Sequence, residues 1–369
     1  MNINALRHLL PILTTVLLAS CSGQGPDVVD PESGSRNQLG LIAIENDNGG
    51  ELVRYNRSRG IENPTEYTSA NSAPLGMAVD AIYEASYDKI YLHHRAEGMM
   101  TVLDVRTRKK VTEISGFLPS ADSGLSGMAF SNLAQGWVIA YGTKKLYHVD
   151  AVTLSVVDRQ TVDLPGRPTA VATGGTSSTA VFVGMQLDDG SGQVGILQSN
   201  AGGIFTIERT LNFRTPIIYM AVDPDGANLI LVSAGADAVG SSPAIPPRIH
   251  AVRLGSYEID YERDIDAPSL QRYIGQPPTF AGMSKEAFLY LATASGVLRL
   301  DVRASGQGGI YYNGISSVIG VDYWSDYLYI YNEGEKAVVP ITNEANELEH
   351  VAIPGTVNAI HFVTPSKVR

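Results

Sequence analysis

Few residues in this 369-residue chain carry an obvious chemistry. The one cysteine, Cys21, follows an apolar run near the N-terminus, so no disulfide can form within the chain. None of the seven histidines has HExxH spacing, and His93-His94 is the only adjacent pair. On a strand these two rings would point to opposite faces, which disfavours a shared metal. Asp188-Asp189 lies in a Gly-rich turn of the kind that offers oxygen ligands to a hard cation. Two carboxylates without EF-hand spacing fall short of such a site, and a solvated turn is the expectation. Gly190-Ser191-Gly192-Gln193-Val194-Gly195 matches GxGxxG in letters, but the ILQSN that follows reads as a strand where a dinucleotide site needs a helix. No GxSxG nucleophile elbow occurs. The chain is therefore expected to hold no metal and no cofactor, and no catalytic residue is identifiable by spacing.

What remains is a set of loop residues, and whether they meet depends on the elements that carry them. A composition of 44% hydrophobic residues with 37 Gly and 19 Pro points to a globular, turn-rich β protein. A net charge of −11 and a pI near 5.1 argue against nucleic acid and anionic membrane surfaces as general partners, although a local basic pocket would be invisible in the sum. From residue 40 onward an apolar unit recurs: GMAVD at 76, GMAFS at 127, PTAVAT at 168, YMAVD at 219, PTFAG at 278, IGVDY at 319 and VNAIHF at 357. Each of the first six is followed by a β-patterned run such as KIYLHH at 89 or LILVSAG at 229, then a third run, and in most units a fourth. Four strands per unit of this size is the pattern of a β-propeller blade. LGLIAIEND at 39 opens a unit that lacks its first strand, and VNAIHFV supplies a first strand with nothing after it. Together they make one blade, so the expected fold is all-β: seven four-stranded blades, closed by strands from both termini over residues 40–364, with a short tail at 365–369.

In such a ring the loops between strands two and three, and between strand four and the next blade, share one face. The longest loops, 233–248 and 266–278, fall there. With their neighbours they place Glu45, Asp47, His93, Arg95, Phe117, Asp188, Asp189, Arg248, Arg272, Tyr273, Tyr331 and Glu333 on that face. A mixed aromatic and polar mouth suits a small polar-aromatic molecule, a glycan or a protein partner, unless these loops merely vary in length.

The N-terminus reads as a targeting segment. Residues 1–20 have a weakly basic start at Arg7-His8, an apolar stretch from Leu9 to Leu18 that is too short to span a bilayer, and a small-residue end. Leu18-Ala19-Ser20-Cys21 resembles the lipobox of bacterial lipoproteins. The resemblance implies cleavage before Cys21, lipidation of its thiol and, with Ser22 where inner-membrane retention would have Asp, anchoring at the outer membrane. Residues 22–39, rich in Ser, Gly, Pro and acid, read as a flexible tether.

The repeat region lacks the Gly-His and Trp-Asp signatures of WD40 blades. It resembles the seven-bladed YVTN/YncE-like propellers of secreted bacterial proteins, in strand pattern and not in any diagnostic motif. Similarity to surface propeller lipoproteins implies a non-enzymatic binding role, with nutrient capture beside an outer-membrane transporter as one form. Two alternatives stay open: a lactonase-like hydrolase using His93, Glu45, Asp47 and Arg272 near the axis, and an envelope-assembly scaffold contacting a partner through loop 233–248.

Overall fold

The computed structural model describes residues 38–364, apart from 86–87, 118–123, 132–134, 175–179, 201–202, 315, 317 and 326. Cys21, most of the tether and the tail at 365–369 lie outside the described residues. Seven antiparallel sheets form a β-propeller. Strand ranges run from the axis outward. Blade one is β29 (Thr356–Phe362), β1 (Leu39–Asn46), β2 (Gly49–Asn56) and β3 (Gly60–Asn63). Blade two is β4 (Ala81–Ala85), β5 (Lys89–His94), β6 (Met99–Asp104) and β7 (Lys110–Ile114). Blade three is β8 (Leu125–Phe130), β9 (Gln135–Ala140) and β10 (Lys145–Asp150), with an outer strand broken into β11 (Ser155–Val156) and β12 (Val162–Asp163). Blade four is β13 (Arg167–Thr173), β14 (Val181–Gln186), β15 (Gly192–Ser199) and β16 (Phe205–Phe213). Blade five is β17 (Ile217–Val222), β18 (Asn228–Ser233), β19 (Arg248–Arg253) and β20 (Ile259–Asp264). Blade six is β21 (Ala281–Met283), β22 (Phe288–Thr293), β23 (Gly296–Asp301) and β24 (Gln307–Tyr312). Blade seven is β25 (Ile319–Asp322), β26 (Tyr327–Asn332), β27 (Ala337–Ile341) and β28 (Val351–Ala352). The ring closes where β29 pairs with β1, from Gly40 opposite Phe362 to Glu45 opposite Thr356.

Burial explains the strand patterns. Second strands are sandwiched between neighbouring blades and read as near-continuous apolar runs; in β18 every residue after Asn228 is buried. Outer strands face water, and β20, IDYERD, presents charges along the edge that would otherwise template aggregation. Four second strands carry a large ring at the same position, Tyr91, Trp137, Tyr290 and Tyr329, each fully buried. Each meets a ring from another strand: Phe130 at 5.2 Å, Phe205 at 4.5 Å, Tyr311 at 5.4 Å and Phe362 at 4.4 Å respectively. The core is thus a circle of packed layers between adjacent blades. At about 1.5–3 kcal/mol per fully buried large apolar side chain, these layers hold the ring without a disulfide.

Two details depart from the repeat pattern. GMAVD at 76 is not the first strand of blade two; that strand is AIYEA, Ala81–Ala85. Residues 78–80 instead strap the blade's end, with His94 Nδ1 2.7 Å from the Ala78 carbonyl and the Asp80 amide donating to the His93 carbonyl at 2.9 Å. PTFAG at 278 starts three residues early but runs into its strand, since Ala281 and Gly282 are two of the three residues of β21, Ala281–Met283. A six-residue helix, α1 (Glu66–Asn71), bridges blades one and two. Glu51 accepts the Tyr67 amide at 2.8 Å, and the buried Glu66 pairs with Arg108 of blade two at 2.8 Å.

Candidate functional site

The connections sort onto two faces. The upper face carries the links between second and third strands and those from each outer strand to the next blade; the lower face carries the remaining turns. Because β1 is a second strand and β29 a first, Leu39 and Phe362 both lie at the lower face.

On the upper face the segment between β20 and β21 crosses the mouth of the central channel. Leu270, Tyr273 and Phe280 are buried and anchor it, with Tyr273 stacked on Phe280 at 4.0 Å. The Leu270 amide donates to Ala234 at 2.7 Å. Its far end reaches blades two and three: the Gln276 side-chain oxygen accepts a hydrogen bond from Arg95, and Gly275 lies against the Tyr141 ring. Gly275 has φ +70° and a Cβ there would sit 2.5 Å from Tyr141 Cγ, so only glycine fits. Below it, Pro278 caps a gap of about 110 Å³ among Met128, Val171 and Tyr219 of the inner strands.

Diverted from the axis, the open space lies to one side. A cavity of about 540 Å³ is bounded by Tyr141, Gln186, Asp189, Arg214, Gln271 and Ile274, with backbone of the turns at 190–191 and 215–216. The Tyr141 hydroxyl donates to Gln186. Asp189 accepts the Ser191 hydroxyl at 2.6 Å and its amide at 2.9 Å, and these bonds hold its carboxyl below the usual carboxylate range. The wall therefore offers one ionised acid, one guanidinium, a phenol and two amides beside Ile245 and Pro216, a set suited to orienting a small polar molecule.

Among the residues expected at the mouth, the structure brings Arg95, Arg272 and Tyr273 to the crossing segment and Asp189 to the cavity wall. Asp188 stands at the rim, paired with Lys144 at 2.8 Å. Glu45, Asp47 and Glu333 are exposed on the tips of blades one and seven. Arg248 is occupied on the outer strands by Asp264 at 2.5 Å and Glu262 at 3.2 Å. Four side chains point into the core instead of the mouth. Phe117 packs edge-on to Tyr147 at 5.7 Å, and Tyr273 stacks as described. Tyr331 is 3% exposed and donates to the Gly355 carbonyl at 3.2 Å. His93 is 1% exposed against Tyr83 at 4.5 Å, and burial pushes its imidazole down to about 3. Loop chemistry in the sequence could not distinguish a side chain that anchors its loop from one that faces solvent. Tyr141, Gln186 and Arg214 were missed because each belongs to a short connection or a strand end.

Ser233, His250 and Glu262 align across β18, β19 and β20, with Oγ to Nε2 at 3.3 Å and Nδ1 to Oε2 at 3.5 Å. The order is that of a nucleophile, base and orienting acid. Ser233 is 3% exposed, however, its oxygen accepts the Arg248 amide at 3.2 Å, and Phe213 covers the imidazole at 4.9 Å. None of the three borders the 540 Å³ cavity. Among the described residues no group of three or more His, Cys, Asp or Glu could hold a metal ion.

No known protein family matches the sequence, and no curated protein is a detectable relative. Solved structures do match. A protein of unknown function from Desulfotomaculum acetoxidans superposes with TM-score 0.63 at 11% identity, covering 88% of this chain and 99% of the other. A candidate 6-phosphogluconolactonase from Bacteroides fragilis gives 0.62 at 12% identity over 92% and 100%. Virginiamycin B lyase from Staphylococcus aureus gives 0.54 at 14% over 78% and 86%. At such identities the likeness is one of fold, and the chain is similar to these propellers in architecture alone.

Proposed function

We propose that this chain is a binding protein, anchored to the outer membrane through lipid on Cys21, that takes up a small polar ligand or a glycan on the upper face. The observation that carries the reading is the crossing segment: it obstructs the axis and leaves a half-polar cavity of about 540 Å³ beside it. The hydrolase reading loses its proposed base, since His93 is sealed in the core. Lower-face placement of Leu39, where the described part of the chain enters the ring, supports an anchored domain with this cavity turned away from its attachment. Two experiments test the proposal. Cys21→Ala should move most of the protein from membrane to soluble fractions with its circular dichroism unchanged; undiminished membrane retention of that variant would overturn the anchor. A thermal-shift screen of the soluble chain against glycans, cobalamins and siderophores should find a stabilising ligand whose effect is lost in Arg214→Ala and Tyr141→Phe. If every hit is indifferent to both substitutions, the cavity is not the site.

A second reading has its own observation. Loop 234–247 folds on itself through bridges between Ala236 and Ile245 and between Val239 and Ser242, and Val239 at its tip is 75% exposed. An ordered projection tipped by an apolar side chain favours contact with an envelope protein. Val239→Asp should abolish capture of such a partner while leaving small-molecule binding intact.

A further inference from the structure

Large apolar side chains that remain exposed on the described residues are divided unevenly between the faces. Val152, Ile204, Ile259, Tyr323, Trp324 and Leu348 are 38% to 64% exposed on lower-face turns or the residues beside them, Val111 and Ile310 lie on the outer strands β7 and β24, and Val239 alone occupies an upper-face loop. Tyr323 and Trp324 form the most amphipathic part of this set. Their rings meet edge-on at 5.2 Å, and Lys285 Nζ lies 5.4 Å from the centre of the Trp324 ring. The Lys285 amide donates to the Tyr323 carbonyl at 3.0 Å, so blade six braces the turn of blade seven. Nearby charge is internally balanced, since Arg303 ion-pairs with Asp225 at 2.9 Å. Blade seven adjoins blade one, and Leu39 joins the ring on this same face.

We infer that this lower face rests on the membrane headgroup layer, with Trp324 and Tyr323 inserted among the headgroups and Lys285 beside them. The inference rests on the Cys21 anchor proposed above. Trp, Tyr and Lys at one exposed spot are the side chains that the bilayer interface favours. Of the tether expected from the sequence, the 16 residues from Ser22 to Asn37 precede the described chain, and an unstructured chain of that length has an r.m.s. span of about 22 Å, short enough to keep this face at the surface in which the acyl chains would sit. A second contact of this kind adds to lipid anchorage and fixes which face looks outward.

Trp137 and Trp324 are the two tryptophans, and Trp137 is fully buried, so surface-sensitive indole fluorescence reports Trp324. The lipidated full chain would be reconstituted in phosphatidylethanolamine and phosphatidylglycerol vesicles, with and without brominated acyl chains. Blue-shifted emission that brominated lipid quenches, absent in Trp324→Leu, is the expected result. Residual vesicle binding of the unlipidated Cys21→Ala chain should fall about tenfold to a hundredfold in Tyr323→Ser/Trp324→Ser, as loss of roughly half the burial of two aromatic rings implies. Unshifted, unquenched emission from protein that still needs Cys21 for retention would overturn the inference and leave the anchor standing. A concentration-dependent blue shift without quenching would overturn it in favour of contact between two copies. Retention of the Cys21→Ala chain that is as strong as that of the lipidated protein, and unchanged by Tyr323→Ser/Trp324→Ser, would instead remove the anchor itself.

Discussion

His93 offers a quantitative test of the ring's internal packing. Its imidazole lies between Tyr83 and the blade, is 1% exposed, and titrates near 3 because burial disfavours the charged form. The unfolded chain binds a proton there with the ordinary value of 6.5. Wherever the unfolded state holds more protons than the folded one, stability falls as pH falls. For this group the loss begins near pH 6.5 and continues until the folded value near 3 is reached. Integrated from pH 7.5 to pH 5, it amounts to about 2 kcal/mol. His94, His148 and His250 are also lowered chiefly by burial and add to the loss, while Asp80 and Asp322, raised by burial, bind protons when folded and offset it. Substituting His93→Phe keeps a ring against Tyr83 and removes only this titration. Urea unfolding followed by Trp137 fluorescence at pH 7.5 and pH 5 should show the wild type losing about 2 kcal/mol more than the variant. Equal losses, within about 0.5 kcal/mol, would mean that His93 is hydrated when folded, as it would be at the channel mouth.

Other consequences follow from named contacts. Arg108 and Glu66 are 5% and 9% exposed in their side chains and pair at 2.8 Å. Arg108→Leu should cost about 2–3 kcal/mol in urea melts by leaving the buried carboxylate only the Asn63 amide at 2.9 Å and Arg54 at 3.9 Å, and adding Glu66→Leu should recover most of it. Gly275→Val forces a branched side chain into the Tyr141 ring at positive φ, so limited proteolysis should begin to cut between residues 266 and 279, with a stability loss of about 2–3 kcal/mol. His350 sits between Glu335 at 2.6 Å and Glu347 at 3.1 Å, which raise its pKa. A raised histidine stabilises below its unfolded value and ceases to do so as pH rises through the folded one. Hydrogen exchange in residues 342–352, corrected for intrinsic rates, should therefore quicken above the ordinary histidine range, and His350→Gln should flatten that dependence.

Blade number was legible because sandwiched second strands must be apolar on both faces, and runs such as LILVS and FLYLA stand out in any register. First strands were less so. GMAVD and GMAFS look alike, yet only the latter lies in an inner strand, because hydrogen bonds from His94 and Asp80 hold the former across the blade's end. The broken outer strand of blade three left no signal, since outer strands contribute little apolar pattern to begin with. For the candidate site, the sequence located the important loop at 266–278 but not its behaviour. Tyr273 reads as a ligand-facing aromatic until Phe280 is known to lie beneath it, a contact made by the loop's own return. Tyr141 and Arg214 become relevant only when that loop lands beside them, which is a property of tertiary structure.

The way the ring closes also decides where its ends emerge. Had the N-terminus supplied an inner first strand, the chain would have begun at the upper face, beside the cavity. Instead the first strand of blade one comes from the C-terminus, and β1 enters as a second strand running from the lower face upward. Both ends are then obliged to leave on the side opposite the loops, whatever the loops contain. The same phase of the repeat, readable as a missing first strand before LGLIAIEND, therefore governs two separate features: the closure of blade one by strands from both ends of the ring and the face at which Leu39 and Phe362 join it. Shifting the break between blades, by joining residues 38 and 364 through a short linker and opening the chain at an upper-face connection, would preserve every strand pair while placing the new ends of the ring on the cavity's own face.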